Sequence, residues 1–145
     1  LLAVDNHATR KLVGEHCARL SDVSLLSAGN DGVGADSTGR VLRGTYGNVQ
    51  VHLRRNSRDL TPDLLQNHPE IASPPDRLPS DPSCTEALTH TPQILFTNLA
   101  AASALLNALL LVACDDLHYA EACFDVRDAL MRPTVGIAKP LAAAR

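Results

Sequence analysis

The stretch "ILFTNLAAASALLNALLLVAC", Ile94 to Cys114, runs for 21 residues without a charge. As a helix it would extend about 31 Å at ~1.5 Å per residue, close to the thickness of a bilayer's hydrocarbon core. Any fold for this chain has to cover it. Thr97, Asn98, Ser103 and Asn107 interrupt the run and no basic cluster flanks it, which argues against a membrane span. At ~100° per residue, Gln93, Thr97, Ser103 and Asn107 share one arc. Asn98 stands apart on an apolar side, where it needs a hydrogen-bond partner. The alanines suit close packing against a sheet or a second subunit. The sequence therefore predicts a buried core helix over about 93–114, and no membrane segment.

The start of the chain supplies the sheet to cover that helix. Leu1 to Val4 reads as the tail of a buried parallel strand. Asn6 to Leu20 reads as a helix capped by Asp5 or Asn6, with Leu12, Val13, His16, Cys17 and Leu20 as its apolar stripe. "VSLLSA", Val23 to Ala28, is the next buried strand. Strand, helix and strand make half of a right-handed crossover unit, so the fold class is α/β. "GNDGVGADSTGR", Gly29 to Arg40, reads as a loop. Its glycines lack the phosphate-loop spacing, and no helix pattern follows to aim amides at a phosphate. In "VLRGTYGNVQVHLRR", Val49, Val51 and Leu53 alternate with Gln50, His52 and Arg54, as in a strand or hairpin with one wet face.

Between Thr61 and Pro92 lie seven of the nine prolines. A stretch this long with little regular structure reads as a functional crossing loop, about 61–92. "HYAEACFDV" and "RPTVGI" then read as two final strands in a hairpin. With 145 residues the chain makes one domain. Its net charge of −3 and 3% aromatic content give no footing for nucleic acid. Cys17, Cys84, Cys114 and Cys123 form no CxxC pair and no basic signal region opens the chain, so free thiols in the cytoplasm are expected.

Several residues have the chemistry for a site. Cys84, in "SDPSCTEALTH", falls in the first turn of a short helix begun by Ser83 or by Asp81-Pro82. Amides and dipole there favour the thiolate, while Asp81 and Glu86 oppose it. Cys17 and Cys114 read as packing residues in apolar helical runs. Asp5 ends a parallel strand, the edge at which open α/β sheets bind ligands, and a lone carboxylate there suits Mg²⁺ or a helix cap. The six histidines show no helical i, i+4 pair. Asp115-Asp116 reads as a solvated turn.

The ordered set "DNHATR", "EHC", "SAG", a Pro-rich loop leading to Cys84-Thr85, and "PQILFTNLAAASALL" resembles the ThiF-like family of adenylyltransferases, which includes the ubiquitin-activating enzymes. The match covers roughly Leu2 to Val126. It implies a Rossmann-like mixed sheet with flanking helices, present as its carboxyl-side part, with a long crossover loop and a C-terminal β-hairpin. It also implies ATP-dependent adenylation of the C-terminal carboxylate of a ubiquitin-like or sulfur-carrier protein. By the resemblance Asp5 holds Mg²⁺ near the phosphates of ATP, Asn6 and Arg10 belong to the same cofactor-binding motif, with Arg10 just behind in a supporting role, and Cys84 takes the acyl group as a thioester. The family's strand–glycine-loop–helix for ATP is not in this sequence, so the 145 residues alone would be inactive. Two CxxC pairs that hold zinc in some relatives are also absent. The family implies a homodimer. The alternatives are a non-catalytic docking subunit of such an enzyme, and a piece of a nicotinamide dehydrogenase, against which the Cys-Thr crossing loop counts.

Overall fold

One strand organises the sheet: β4, Tyr46–Arg55, in a computed structural model that describes residues 1–35, 38–39, 41–74, 78 and 94–136. It lies between β1 (Val23–Asn30) and β6 (Tyr119–Asp125), antiparallel to both, and β7 (Leu130–Gly136) pairs with β6 at the far edge. Pro133, which has no amide to give a ladder, sits on that edge strand. Beyond β1 the chain start adds one parallel bridge, Leu2 to Ser27, with Leu2 N donating to Leu26 O and Ala28 N to Leu2 O. Helix α1 (His7–Cys17) connects that bridge to β1. The architecture is thus mixed α/β, with an antiparallel sheet and a few helices.

The two faces of β4 make two cores. Val49, Val51 and Leu53 face helix α3 (Leu95–Ala113), meeting Ala101, Ala104, Leu105 and Ala108. Alanines at this seam let the helix axis approach the sheet closely, and Phe124, Tyr119 and Leu117 close its ends. On the opposite face Leu2, Cys17, Leu25, Leu64 and Ile71 form a smaller core beneath α1, the four-residue helix α2 (Leu64–Asn67) and a 3₁₀ turn, Pro69–Ile71.

Several expectations need correction. The wet face of β4 is dry: Gln50 and His52 are 3% and 1% exposed, because the early part of the crossing segment folds over them. That segment has regular structure in α2 and the 3₁₀ turn, where the prolines had suggested a loop. Val33–Ala35 (β2), inside the expected Gly29–Arg40 loop, pairs with Val41–Arg43 (β3) just beyond it as a two-stranded ribbon. Helix α1 buries Arg10, Gly14 and Cys17, whereas Leu12 is 53% exposed. The apolar stripe is displaced because Arg10 has the shorter route to buried carbonyls. A two-residue hairpin turn, Asn56-Ser57, with both φ positive, joins β4 to β5 (Arg58–Asp59).

Helix α3 is a core helix on one side only. Thr97 is fully buried, and its Oγ1 donates to Gly44 O at 2.6 Å. Gly44 has φ +69°, and a Cβ there would come within 2.8 Å of Val33 Cγ2, so the turn into β4 requires glycine. Asn98 is exposed, not held by a buried partner, because the helix rotates its Thr97 side inward. Phe96 (72% exposed), Leu99, Leu106 and Leu110 line the outer side. By length and composition this helix could also cross a bilayer. Cys114 caps its end and is exposed, which corrects the expected packing role.

Removing the Thr97 hydroxyl tests the link between helix and sheet. Thr97→Val keeps the volume and leaves the Gly44 carbonyl without its partner. It should lower stability by about 1–3 kcal/mol, read as a lower urea midpoint at unchanged slope.

Candidate functional site

Arg10 is buried at 8% exposure. Its Nη2 donates to Val4 O at 2.7 Å and to Ala28 O at 2.9 Å, and Nε donates to Val4 O at 3.2 Å. The guanidinium thus ties the end of the first extended segment to the end of β1. It lies across Gly29, where a Cβ would sit 2.9 Å from Nη1. The "DNHATR" and "SAG" pieces are therefore in contact: the arginine needs the glycine to lie flat. Asn6 caps α1, its Oδ1 accepting from Thr9 N at 2.7 Å and from Thr9 Oγ1 at 2.9 Å. Asp5 is exposed immediately before that cap.

Asp5, Asn6 and Arg10 stand together on the wall of a polar cleft of about 300 Å³. The cleft runs between the start of α1, the end of β1, the start of β4 and the 3₁₀ turn, with Asp31 and Glu70 on its other walls. A second, more apolar groove of about 400 Å³ lies on the α3 side of Asp5, lined by Ala101, Leu105 and Leu106. Asp5 is thus at the ridge between two recesses.

His68 closes one end of the polar cleft. Its Nε2 lies 2.6 Å from Glu121 Oε1 and its Nδ1 2.8 Å from Glu70 Oε1, so both ring nitrogens face carboxylates. Glu121 also accepts from Asn48 Nδ2 at 2.9 Å and from Thr134 Oγ1 at 3.0 Å. The Glu121 hydrogen bond raises the His68 pKa above its ordinary 6.5, against the opposing effect of burial. Burial works to raise the Glu121 pKa, but the hydrogen bonds from His68 and Asn48 outweigh it and leave a net lowering. The imidazolium and carboxylate together pin the crossing segment to β6, and Lys11 Nζ donating to Ala72 O at 2.8 Å pins its far side.

Deeper in the sheet Gln50 Nε2, Ser27 Oγ and His52 Nδ1 are buried and have no hydrogen-bond partner among the described residues. Ser27 and Gln50 oppose each other across the β1–β4 ladder, and Gln50 reaches the cleft wall. The other ring nitrogen of His52, Nε2, lies 2.9 Å from Asp59. Cys17 is buried, and burial raises its thiol pKa, which leaves it unreactive. Tyr46 Oη donates to Cys123 Sγ at 2.8 Å. Among the described residues no group of three His, Cys, Asp or Glu side chains could hold a metal ion.

Of the residues singled out from sequence, Asp5, Asn6 and Arg10 share one wall; Cys84 lies outside the described residues. His68, Glu121 and Gln50 were not singled out. Glu121 gave a usable signal, a carboxylate amid the apolar "YAEACF", which has to find a partner when buried. His68 gave none, since its two partners lie 2 and 53 residues away. No protein-family model matches the chain, and no curated protein and no solved structure matches it either.

The His68–Glu121 pair sets a pH window. A raised His68 pKa means its stabilisation is complete below 6.5 and is lost as pH climbs through the higher folded value. Glu121, lowered from 4.5, contributes above that pH and loses its contribution as pH falls through its folded value. Stability from this pair should therefore be greatest between about 4.5 and 6.5. In an NMR titration the His68 ring should turn over above 6.5, and Glu121→Gln should move that midpoint down. An unmoved midpoint would show that the two side chains do not interact in solution.

Proposed function

We propose that this chain is the carboxyl-side part of a ThiF-like adenylyltransferase that activates the C-terminal carboxylate of a ubiquitin-like or sulfur-carrier protein. The observation that carries the reading is the joint placement of Asp5, Asn6, Arg10 and Gly29. Residues chosen from two separate motifs converge on one cleft wall, which supports the reading. The parallel Leu2–Ser27 bridge, followed by α1 and β1, supports the reading, although the sheet itself is antiparallel. The glycine loop that cradles ATP phosphates would come from chain outside these 145 residues.

In this reading the carrier's carboxylate attacks the α-phosphorus of ATP and pyrophosphate leaves. Bound Mg²⁺ would neutralise charge on the departing pyrophosphate. Asp5, exposed at the ridge between the two recesses, has the carboxylate to hold it. Arg10 keeps that ridge in place through its hydrogen bonds to the Val4 and Ala28 carbonyls. Asn6 aligns α1 behind it. Cys84 would then take the acyl group from the reactive adenylate, its thiolate forming a thioester as AMP leaves. The outer face of α3, with Phe96, Leu99, Leu106 and Leu110 exposed, supports a homodimer contact. The cytoplasm is the compartment the free thiols favour.

That same apolar face favours a second reading, a docking subunit that lends its sheet and helix to an active partner, with Asp5 and Cys84 idle.

Exchange of labelled pyrophosphate into ATP, measured with the full-length protein and its carrier, separates the two. Asp5→Ala should reduce exchange by at least about a hundredfold, since a metal-held charge is lost at the reacting phosphates. Exchange unaltered by that substitution would reject the catalytic reading. A second measurement follows the acyl group: Cys84→Ala should leave exchange intact and abolish the reductant-cleavable carrier adduct. If carrier transfer persists in that variant, the thioester step is wrong.

A further inference from the structure

The strap of chain over the inner face of β4 is fastened by one ring. His68, where α2 meets the 3₁₀ turn, has Glu70 Oε1 at 2.8 Å from Nδ1 and Glu121 Oε1 at 2.6 Å from Nε2. Only an imidazolium carries an N–H on both nitrogens. A neutral ring keeps one, so in either tautomer it turns a lone pair toward a carboxylate oxygen. With the proton on Nε2, the exposed Glu70 loses its bond and water takes the place of the ring. With the proton on Nδ1, the buried Glu121 faces the lone pair. Asn48 Nδ2, 3.2 Å from Nε2 and 2.9 Å from Glu121 Oε1, can then donate to the ring instead. The closed arrangement therefore needs the charged ring, whichever tautomer replaces it.

No other charge around the ring takes over its place between the two carboxylates. From α1, Lys11 Nζ donates to Ala72 O, and the charge of His7 acts on Glu70. Arg10 donates to the Val4 and Ala28 carbonyls, while Asp5 and Asp31 line the cleft wall as further carboxylates. From β7, Thr134 gives Glu121 an uncharged hydroxyl. The strap's two apolar anchors, Leu64 and Ile71, lie on either side of His68 and are fully buried. Releasing the ring thus loosens the turn between anchors and leaves the domain folded.

We propose that residues 64–72 form a pH-operated strap over the polar cleft, closed while His68 is an imidazolium and loosened when the ring gives up its proton, which uncovers Gln50 and widens the cleft beside Glu70. The Glu121 hydrogen bond holds the His68 pKa above 6.5, so the strap is shut in mild acid and loosens as pH climbs through that raised value. At the acid end, protonation of Glu121 below its ordinary 4.5 removes the ring's partner instead. The device is independent of the adenylation reading, since it controls entry to the cleft for any ligand.

Amide hydrogen exchange of the full-length protein tests it, read by NMR from about pH 6 to about pH 9 alongside the His68 ring signal. Ile71 N donates to His68 O and Ala72 N to Pro69 O, so these two amides report the turn. Corrected for intrinsic base catalysis, their protection should fall by about tenfold across that range, with a midpoint at the His68 titration, while the β1–β4 ladder amides stay level. His68→Gln should abolish the pH dependence. Glu70→Gln, at an exposed side chain, guards against a folding defect and should move the midpoint to lower pH. Protection of Ile71 and Ala72 that ignores pH in the wild type would overturn the strap. So would a fall that persists unchanged in both variants, or one shared equally by the ladder amides.

Discussion

Everything at the candidate site hangs from one buried guanidinium. Arg10 reaches from α1 to Val4 O and Ala28 O, and so binds a segment held by a single β-bridge to the end of an eight-residue strand. Without it, the buried Ala28 carbonyl and the partly buried Val4 carbonyl would each lose a donor, at a cost of about 1–3 kcal/mol for the buried one. The same contact explains Gly29, since no side chain fits beneath the guanidinium. It also fixes the direction in which α1 leaves the sheet, and with it the position of Asp5.

A second constraint works on the opposite wall. The start of the crossing segment is held to the sheet by Ile71 in the smaller core, by Lys11 on Ala72 O, and by His68 between Glu70 and Glu121. This clamp is what dries the polar face of β4. It converts Gln50 and His52 from solvent-facing residues of an edge-like strand into buried ones, and it leaves Gln50 Nε2 facing the cleft unpaired. Polar residues on a strand face are thus no sign of solvent when another segment crosses above them.

The elements were legible wherever local pattern governs. The helix at Asn6–Leu20, the strand at Val23–Ala28, the strand through Val49–Leu53, the long helix near Ile94–Cys114 and the closing hairpin all follow from periodicity and capping. Asp5, Asn6 and Arg10 were legible as one group because the motif is contiguous. Misreadings arose where tertiary contacts overrule pattern. Leu12 looked buried and is exposed because Arg10 takes the inner face of α1. Thr97 looked like part of a polar arc and is fully buried because Gly44 O lies within reach of its hydroxyl. His68 and Glu121, 53 residues apart, leave no joint trace in the chain.

By itself the sequence determined what most segments are: a capped helix, a period-two strand, an uncharged helix too long and apolar to stand alone. These are local properties, decided by side-chain spacing and backbone preference within a few residues. Tertiary structure alone decided which polar groups meet. Burial removes water as a competitor, so Arg10, His68 and Glu121 must take partners from distant strands and helices. Which partner each finds depends on strand order and on the path of the crossing segment, and no single stretch of the chain encodes that.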